Sequence, residues 1–334
     1  MTFGRLGLNA GVHLSIFSVK GKEYVSAQPR ASIRYQLSED WSAKASFTQM
    51  AQYVHLLSSS TIALPTDLWV AVTKDIRPMV ANQYAIGGYY TGLKGYEFSV
   101  EGYYKQMRNV LEYQDGASFF ASSSGWEEKV EMGNGRSMGV EFLAQKKAGK
   151  MTGWVAYTLA KSDRRFENGH INHGKWFPYK YDKRHNLNIC VNYKFSDRFD
   201  AGATWVFSTG GTVTVAEQRM NVLYPIGNDY TDEHFREQNY IPERNNFRLP
   251  CTHRLNIGVN FHKKVKWGEH TWNVSVFNAY NAMNPQLVFM EQEVIGHNVL
   301  RPDGSYAYQE EVKNHLKKLT LLPCLPSFTY TFKF

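Results

Sequence analysis

Apolar and polar residues alternate one for one along most of this chain, most cleanly in its last eight residues. Phe328, Tyr330, Phe332 and Phe334 interleave with Ser327, Thr329, Thr331 and Lys333. A period of two belongs to a β-strand whose two faces meet different surroundings. Here one face is wholly aromatic and the other wholly polar. The solvent face of a soluble sandwich strand carries more charge, and terminal strands of that kind fray. An aromatic-faced strand that ends the chain suits the closing strand of a membrane β-barrel.

The same pattern recurs upstream. Leu6, Leu8, Ala10, Val12, Leu14 and Ile16 oppose Arg5, Asn9, His13 and Ser15, and Ala31, Ile33, Tyr35 and Leu37 oppose Arg30, Ser32, Arg34 and Gln36. Trp41, Ala43, Ala45 and Phe47 oppose Ser42, Lys44, Ser46 and Thr48. Further segments begin near Gln83, Gly95, Gly135, Met151, Arg184, Arg198, Thr252 and Thr271. With the terminal segment this makes about twelve antiparallel strands, each near the roughly 9–11 residues that cross a bilayer.

The connections sort by length. Short ones fall at Ser38–Asp40, Gly92–Gly95, Lys147–Lys150, Ser196–Asp197 and Lys264–Glu269, and long polar ones at 50–80, 113–134, 162–183, 209–248 and 294–316. After the first hairpin the two kinds alternate strictly, as tight periplasmic turns and long extracellular loops do in outer-membrane barrels. If Phe334 ends at the periplasmic rim, every long segment lies outside. The soluble alternatives are a large sandwich or a β-propeller, but no motif repeats at the roughly 40–50-residue period of a propeller.

Composition agrees. Aromatics make up 15% of 334 residues, yet mean hydropathy is −0.45. That mix fits strands showing alternate residues to lipid and water. No run of about 18 apolar residues offers a transmembrane helix. The net charge of +8 is scattered, not clustered as a nucleic-acid footprint would be, so no nucleic-acid partner is expected. Cys190, Cys251 and Cys324 match no metal spacing and read as unpaired fillers. The first eight residues read as a strand, not as a signal peptide. An exported barrel needs one, so the expectation is that the chain starts mid-protein.

Four segments, in order, resemble the C-terminal barrel of TonB-dependent outer-membrane receptors, especially the Bacteroidetes type. Ser26–Tyr35 is similar to a "PR-x-S-x-R-Y" strand, and Tyr181–Leu187 to a "D-x-R-H-x-L" strand start. Leu249–Asn256 resembles "P-x-x-R-L-D", with Asn256 where Asp is usual, and Trp272–Asn281 resembles "V-x-N-L-F-N". The resemblance covers essentially the whole chain. It implies about twelve C-terminal strands of a plugged barrel of 22 strands, with the plug and N-terminal strands absent from residues 1–334. It also implies uptake of a scarce ligand such as an iron–siderophore, cobalamin or oligosaccharide, driven by the TonB–ExbB–ExbD complex through the region before Met1. The alternative is a self-contained twelve-strand pore or adhesin barrel.

Candidate ligand contacts lie in the long loops. His170 and His173 form an H-x2-H pair able to share a metal or touch an iron chelate, though two ligands make no metal site. Trp69, Trp126, Trp176, Phe177, Tyr179, Tyr230 and Tyr240 offer stacking and cation–π surfaces, or serve as girdle and loop packing. Arg30, Arg34, Lys105 and Arg254 fall on lumen faces, where they favour an anionic chelate or pair with Glu97, Glu101 and Glu141. His185 and His253 stand near strand starts without a serine elbow or acidic pair, so no enzyme is expected. Nothing calls for a cofactor.

Overall fold

The computed structural model describes residues 2–57, 68–115, 125–223, 235–285, 287–300, 302 and 305–334. Among these, the main sheet holds twelve long strands in chain order: β1 (Leu6–Val19), β2 (Lys22–Gln36), β3 (Trp41–Gln52), β4 (Met79–Tyr90), β5 (Tyr96–Tyr113) and β6 (Val130–Lys146). β7 (Met151–Arg165), β8 (His185–Ser196), β9 (Phe199–Ser208), β10 (Thr252–Val265), β11 (Gly268–Phe277) and β12 (Leu325–Lys333) complete them. Each pairs antiparallel with the next, and the two-residue stubs Thr2–Phe3 and Phe177–Pro178 bring the sheet to fourteen strands. Among the described residues β1 and β12 do not pair, so the sheet stays open.

Register fixes the faces. Ala45, Ile86, Gly102, Val140 and Leu159 form one rank across β3–β7, and Val191, Ala203, Ile257 and Val276 another across β8–β11. This face is uncovered: Ile16, Val25 and Ile86 on it are each about 70% exposed. A soluble sheet would hide that face; here it meets lipid. Phe328 and Tyr330 stand on it opposite Val274 and Trp272. At its periplasmic border Trp267, His270, Trp272, Tyr330, Phe332 and Phe334 form a chain of ring contacts. The opposite face is polar: Asn188, Asn192, Thr204, Asn256, Asn260 and Asn273 line it on β8–β11.

The buried core lies beyond the outer ends of the strands. β5 and β6 project past their neighbours, with a register shift at Asn109, whose φ is 58°. Loops coat both faces of this projection. On one, Leu111, Tyr113 and Val130 pack with Leu57, Val70 and Ile76 of the 53–78 connection, with Trp126 and Met132 against them. On the other, Val110 packs with Phe166, Ile171 and Phe177. Gly133 permits this second contact, since a Cβ there would lie 2.5 Å from the Phe166 ring.

Two expectations change. The long connections are not plain polar loops: Val54–Leu57 pairs with Leu68–Ala71, Gln218–Leu223 with Phe235–Tyr240, and Thr212–Val213 with Phe247–Arg248. The segment read as loop at 294–316 instead belongs largely to a hairpin of two 14-residue strands, Leu287–Leu300 and Tyr306–Leu319. Its polar composition concealed cross-strand pairs such as Glu291–Lys317 and Glu293–His315. The three cysteines are free.

Candidate functional site

The inward face of the β5–β7 outer ends carries a buried charged network. Glu112 on β5 stands directly opposite Glu131 on β6. Two facing carboxylates repel, and each is answered from a loop. Glu112 accepts hydrogen bonds from Arg164 on β7 at 2.8 Å and from Arg244 of the 209–251 connection at 3.2 Å. Arg244, 5% exposed, also donates to the Tyr113 carbonyl and to Asp115, while its backbone N–H donates to the Asn172 side chain at 2.7 Å. Glu131 accepts from His170 Nδ1 at 2.6 Å; its second oxygen is buried with no partner among the described residues.

A second hub is Asp182, 1% exposed. It accepts from the Ser162 backbone N–H, Arg184 and Arg248, and Arg248 also caps the Asp182 and Gly210 carbonyls. The two hubs tie three outer connections into one wall. Aromatic faces line it: the Arg164 guanidinium sits 3.6 Å from the Tyr179 ring centroid and that of Arg244 sits 6.0 Å from Phe177.

The candidate residues are not brought together. Tyr179 joins the inward wall, but Trp176 stacks on Arg136 at 4.4 Å on the other side of the sheet. Trp126 packs into the loop core, and Trp69 and Tyr240 are exposed on separate hairpins. Tyr230 lies outside the described residues. The His170 ring is committed to Glu131, while His173 is exposed in a turn with φ 53°. Among the described residues no cluster of three or more metal-ligating side chains forms.

Register places Arg30, Arg34, Lys105 and Arg254 on the polar inner face. Among the described residues none forms an ion pair with Glu97, Glu101 or Glu141. Glu97 pairs with Lys147, Arg34 donates to Gln36 at 3.0 Å, and Arg254 stacks on Phe277 at 4.3 Å. His185 and His253 face lipid and share hydrogen bonds with the hydroxyls of Tyr157 and Tyr280.

Arg164 was legible in principle, because it continues the inward parity of β7; Glu112 was not, because only the register shift at Asn109 turns its even-numbered position from the lipid face inward. Arg244 was not, since it sits in a polar stretch without periodicity.

An open antiparallel sheet with a lipid-facing belt, a polar inner wall and built outer loops defines a barrel receptor or pore of the outer membrane. Residues 1–282 match the family described as TonB dependent receptor-like, beta-barrel, and the chain belongs to that family. No curated protein matches it. Among solved structures it is similar to the ferric yersiniabactin uptake receptor FyuA of Yersinia pestis (TM-score 0.55, 13% identity), covering 99% of this chain and 43% of that one. It is similar to the ferric-catecholate import receptor Fiu of E. coli (TM-score 0.53, 13% identity; 98% and 43%). It also resembles P. aeruginosa FpvA bound to pyoverdine–iron (TM-score 0.54, 12% identity; 99% and 37%). At these identities the likeness concerns the fold, and the chain spans less than half of each. The family is one of outer-membrane receptor barrels.

Proposed function

We propose that this chain is the C-terminal part of a receptor that imports a scarce, anionic metal chelate of the iron–siderophore kind across the outer membrane. The observation that carries the ligand class is the inner wall. Arg164, paired with Glu112, and Tyr179 form a cation–aromatic contact on the outer wall, and Arg30, Arg34 and Lys105 share the inner face on β2 and β5 without carboxylate partners among the described residues. Such a cationic inner face attracts a negatively charged chelate. The neighbours named for ferric ligands support this reading.

The remaining strands and the plug would precede Met1, the strands pairing with the edge of β12 and with that of β1 beyond the Thr2–Phe3 stub, and the plug region would couple to TonB–ExbB–ExbD. A self-contained twelve-strand pore would instead need β1 to pair with β12. The test is deletion of the full gene, followed by uptake of radiolabelled iron as ferric siderophores, with cobalamin and oligosaccharides as parallel substrates. Loss of ferric uptake alone supports the proposal; loss of cobalamin or glycan uptake alone reassigns the ligand.

A further inference from the structure

The apolar belt of β3–β7 stops at one rank of registered, lipid-facing residues: Gln49, Asn82, Gln106, Arg136 and Asp163. The rank beneath it is Phe47, Tyr84, Tyr104, Met138 and Lys161. On β3 and β4 the border is neutral and closed on itself, with Gln49 donating to Asn82 at 3.0 Å. On β5–β7 it is cationic. Arg136 donates through Nε and Nη2 to the same Asp163 oxygen at 3.0 and 2.9 Å, and Lys161 lies 3.2 Å from that oxygen. Arg108, exposed, stands one step further out on β5.

We propose that Arg108, Arg136 and Lys161 hold a phosphate group of an outer-leaflet lipid. Three cations stand against one carboxylate, and that carboxylate is only 3% exposed, beneath the groups it orients. Arg136 uses one edge of its guanidinium on Asp163, which leaves Nη1 directed away, and Lys161 keeps further N–H donors. Trp176, stacked on Arg136, adds the amphipathic ring expected at a membrane border. Arginine and lysine so arranged bind phosphate strongly, and Asp163 and Trp176 fix them before the ligand arrives. Position selects the source. The group sits where the strand leaves the hydrocarbon, above Tyr104, Val140, Tyr157 and Leu159, so a headgroup can engage the cations while its acyl chains lie along the belt.

The test uses the natural full-length protein in phosphatidylcholine nanodiscs containing either diphosphoryl lipid A or its dephosphorylated form. Native mass spectrometry reads retention. The wild type is expected to retain the phosphorylated lipid about tenfold better, and the double variant R136Q/K161Q to lose that discrimination. The exchange R136K/K161R keeps both charges and is expected to retain most of it. Should the double variant fold poorly, Lys161→Gln alone leaves the Arg136–Asp163 pair in place and is expected to weaken retention about threefold. Equal retention of both lipids by the wild type, or undiminished discrimination in every variant, overturns the proposal. Displacement of the lipid by millimolar inorganic phosphate would overturn the lipid assignment in favour of a free-anion site. Ligand uptake is a separate readout and need not change.

Discussion

The guanidinium of Arg244 lies 3.2 Å from the carboxylate of Glu112, across 132 positions of sequence. Both side chains are about 4% exposed, so the pair is a buried contact that fixes where the 209–251 connection sits. Removing one partner of such a pair leaves an uncompensated charge and costs about 3–5 kcal/mol. Arg244→Ala is therefore expected to abolish hydrogen-exchange protection at Arg244–Arg248 and around Asn172, with β1–β12 unchanged. Protection kept at those amides would show that Arg244 holds nothing.

His55, in the hairpin above β3, donates from Nε2 to the Arg77 carbonyl at 3.0 Å. Burial pushes its imidazole below the ordinary value of 6.5; the bond to Arg77 opposes this, and Arg164 adds a further lowering. A lowered value means that the folded state binds fewer protons than the unfolded one. The stabilisation is thus present above about pH 6.5 and is lost as pH falls through the folded value. Hydrogen exchange at Val54–Leu57, corrected for intrinsic rates, is expected to accelerate on acidification in the wild type. In His55→Gln that acceleration should vanish.

Val274 and Asn273 are neighbours on opposite faces of β11. Val274→Arg places a charge in lipid and is expected to cost about 2–4 kcal/mol near mid-depth. Asn273→Arg, on the inner wall, is expected to cost far less. The folded fraction of the full-length protein in outer membranes, read by heat-dependent gel mobility, checks the contrast. Equal loss in both would mean the faces are misassigned.

Phe166 is fully buried against Val110, Ile171 and Phe177. Phe166→Ala is expected to cost about 3–5 kcal/mol in the outer loop unit. Gly133→Val attacks the same contact from the strand side and should expose the same loop to protease, leaving the belt intact.

The belt was legible because lipid and water impose a strict period of two on every spanning strand. Leu187, Ile189 and Val191 against Asn186, Asn188 and Asn192 sort to opposite faces of β8. Loop parity gave direction for the same reason. The outer wall was not legible, because it depends on long-range partners. Nothing local announces that Arg244 meets Glu112, or that the 294–316 stretch belongs largely to a paired hairpin. Trp176 and Tyr179 look equivalent in sequence, yet the stub Phe177–Pro178 pairs with β7 and sends them to different faces.

The β5–β6 projection has a consequence for biogenesis. Its two coats come from connections on both sides of it in the chain, and none can close until those connections have been exported. The belt is therefore expected to form first and the outer crown to close afterwards, as a separately cooperative unit. A molecule halted between the two stages would carry a finished belt and an undressed crown, insoluble in the way of a native barrel yet open to any protease outside the cell.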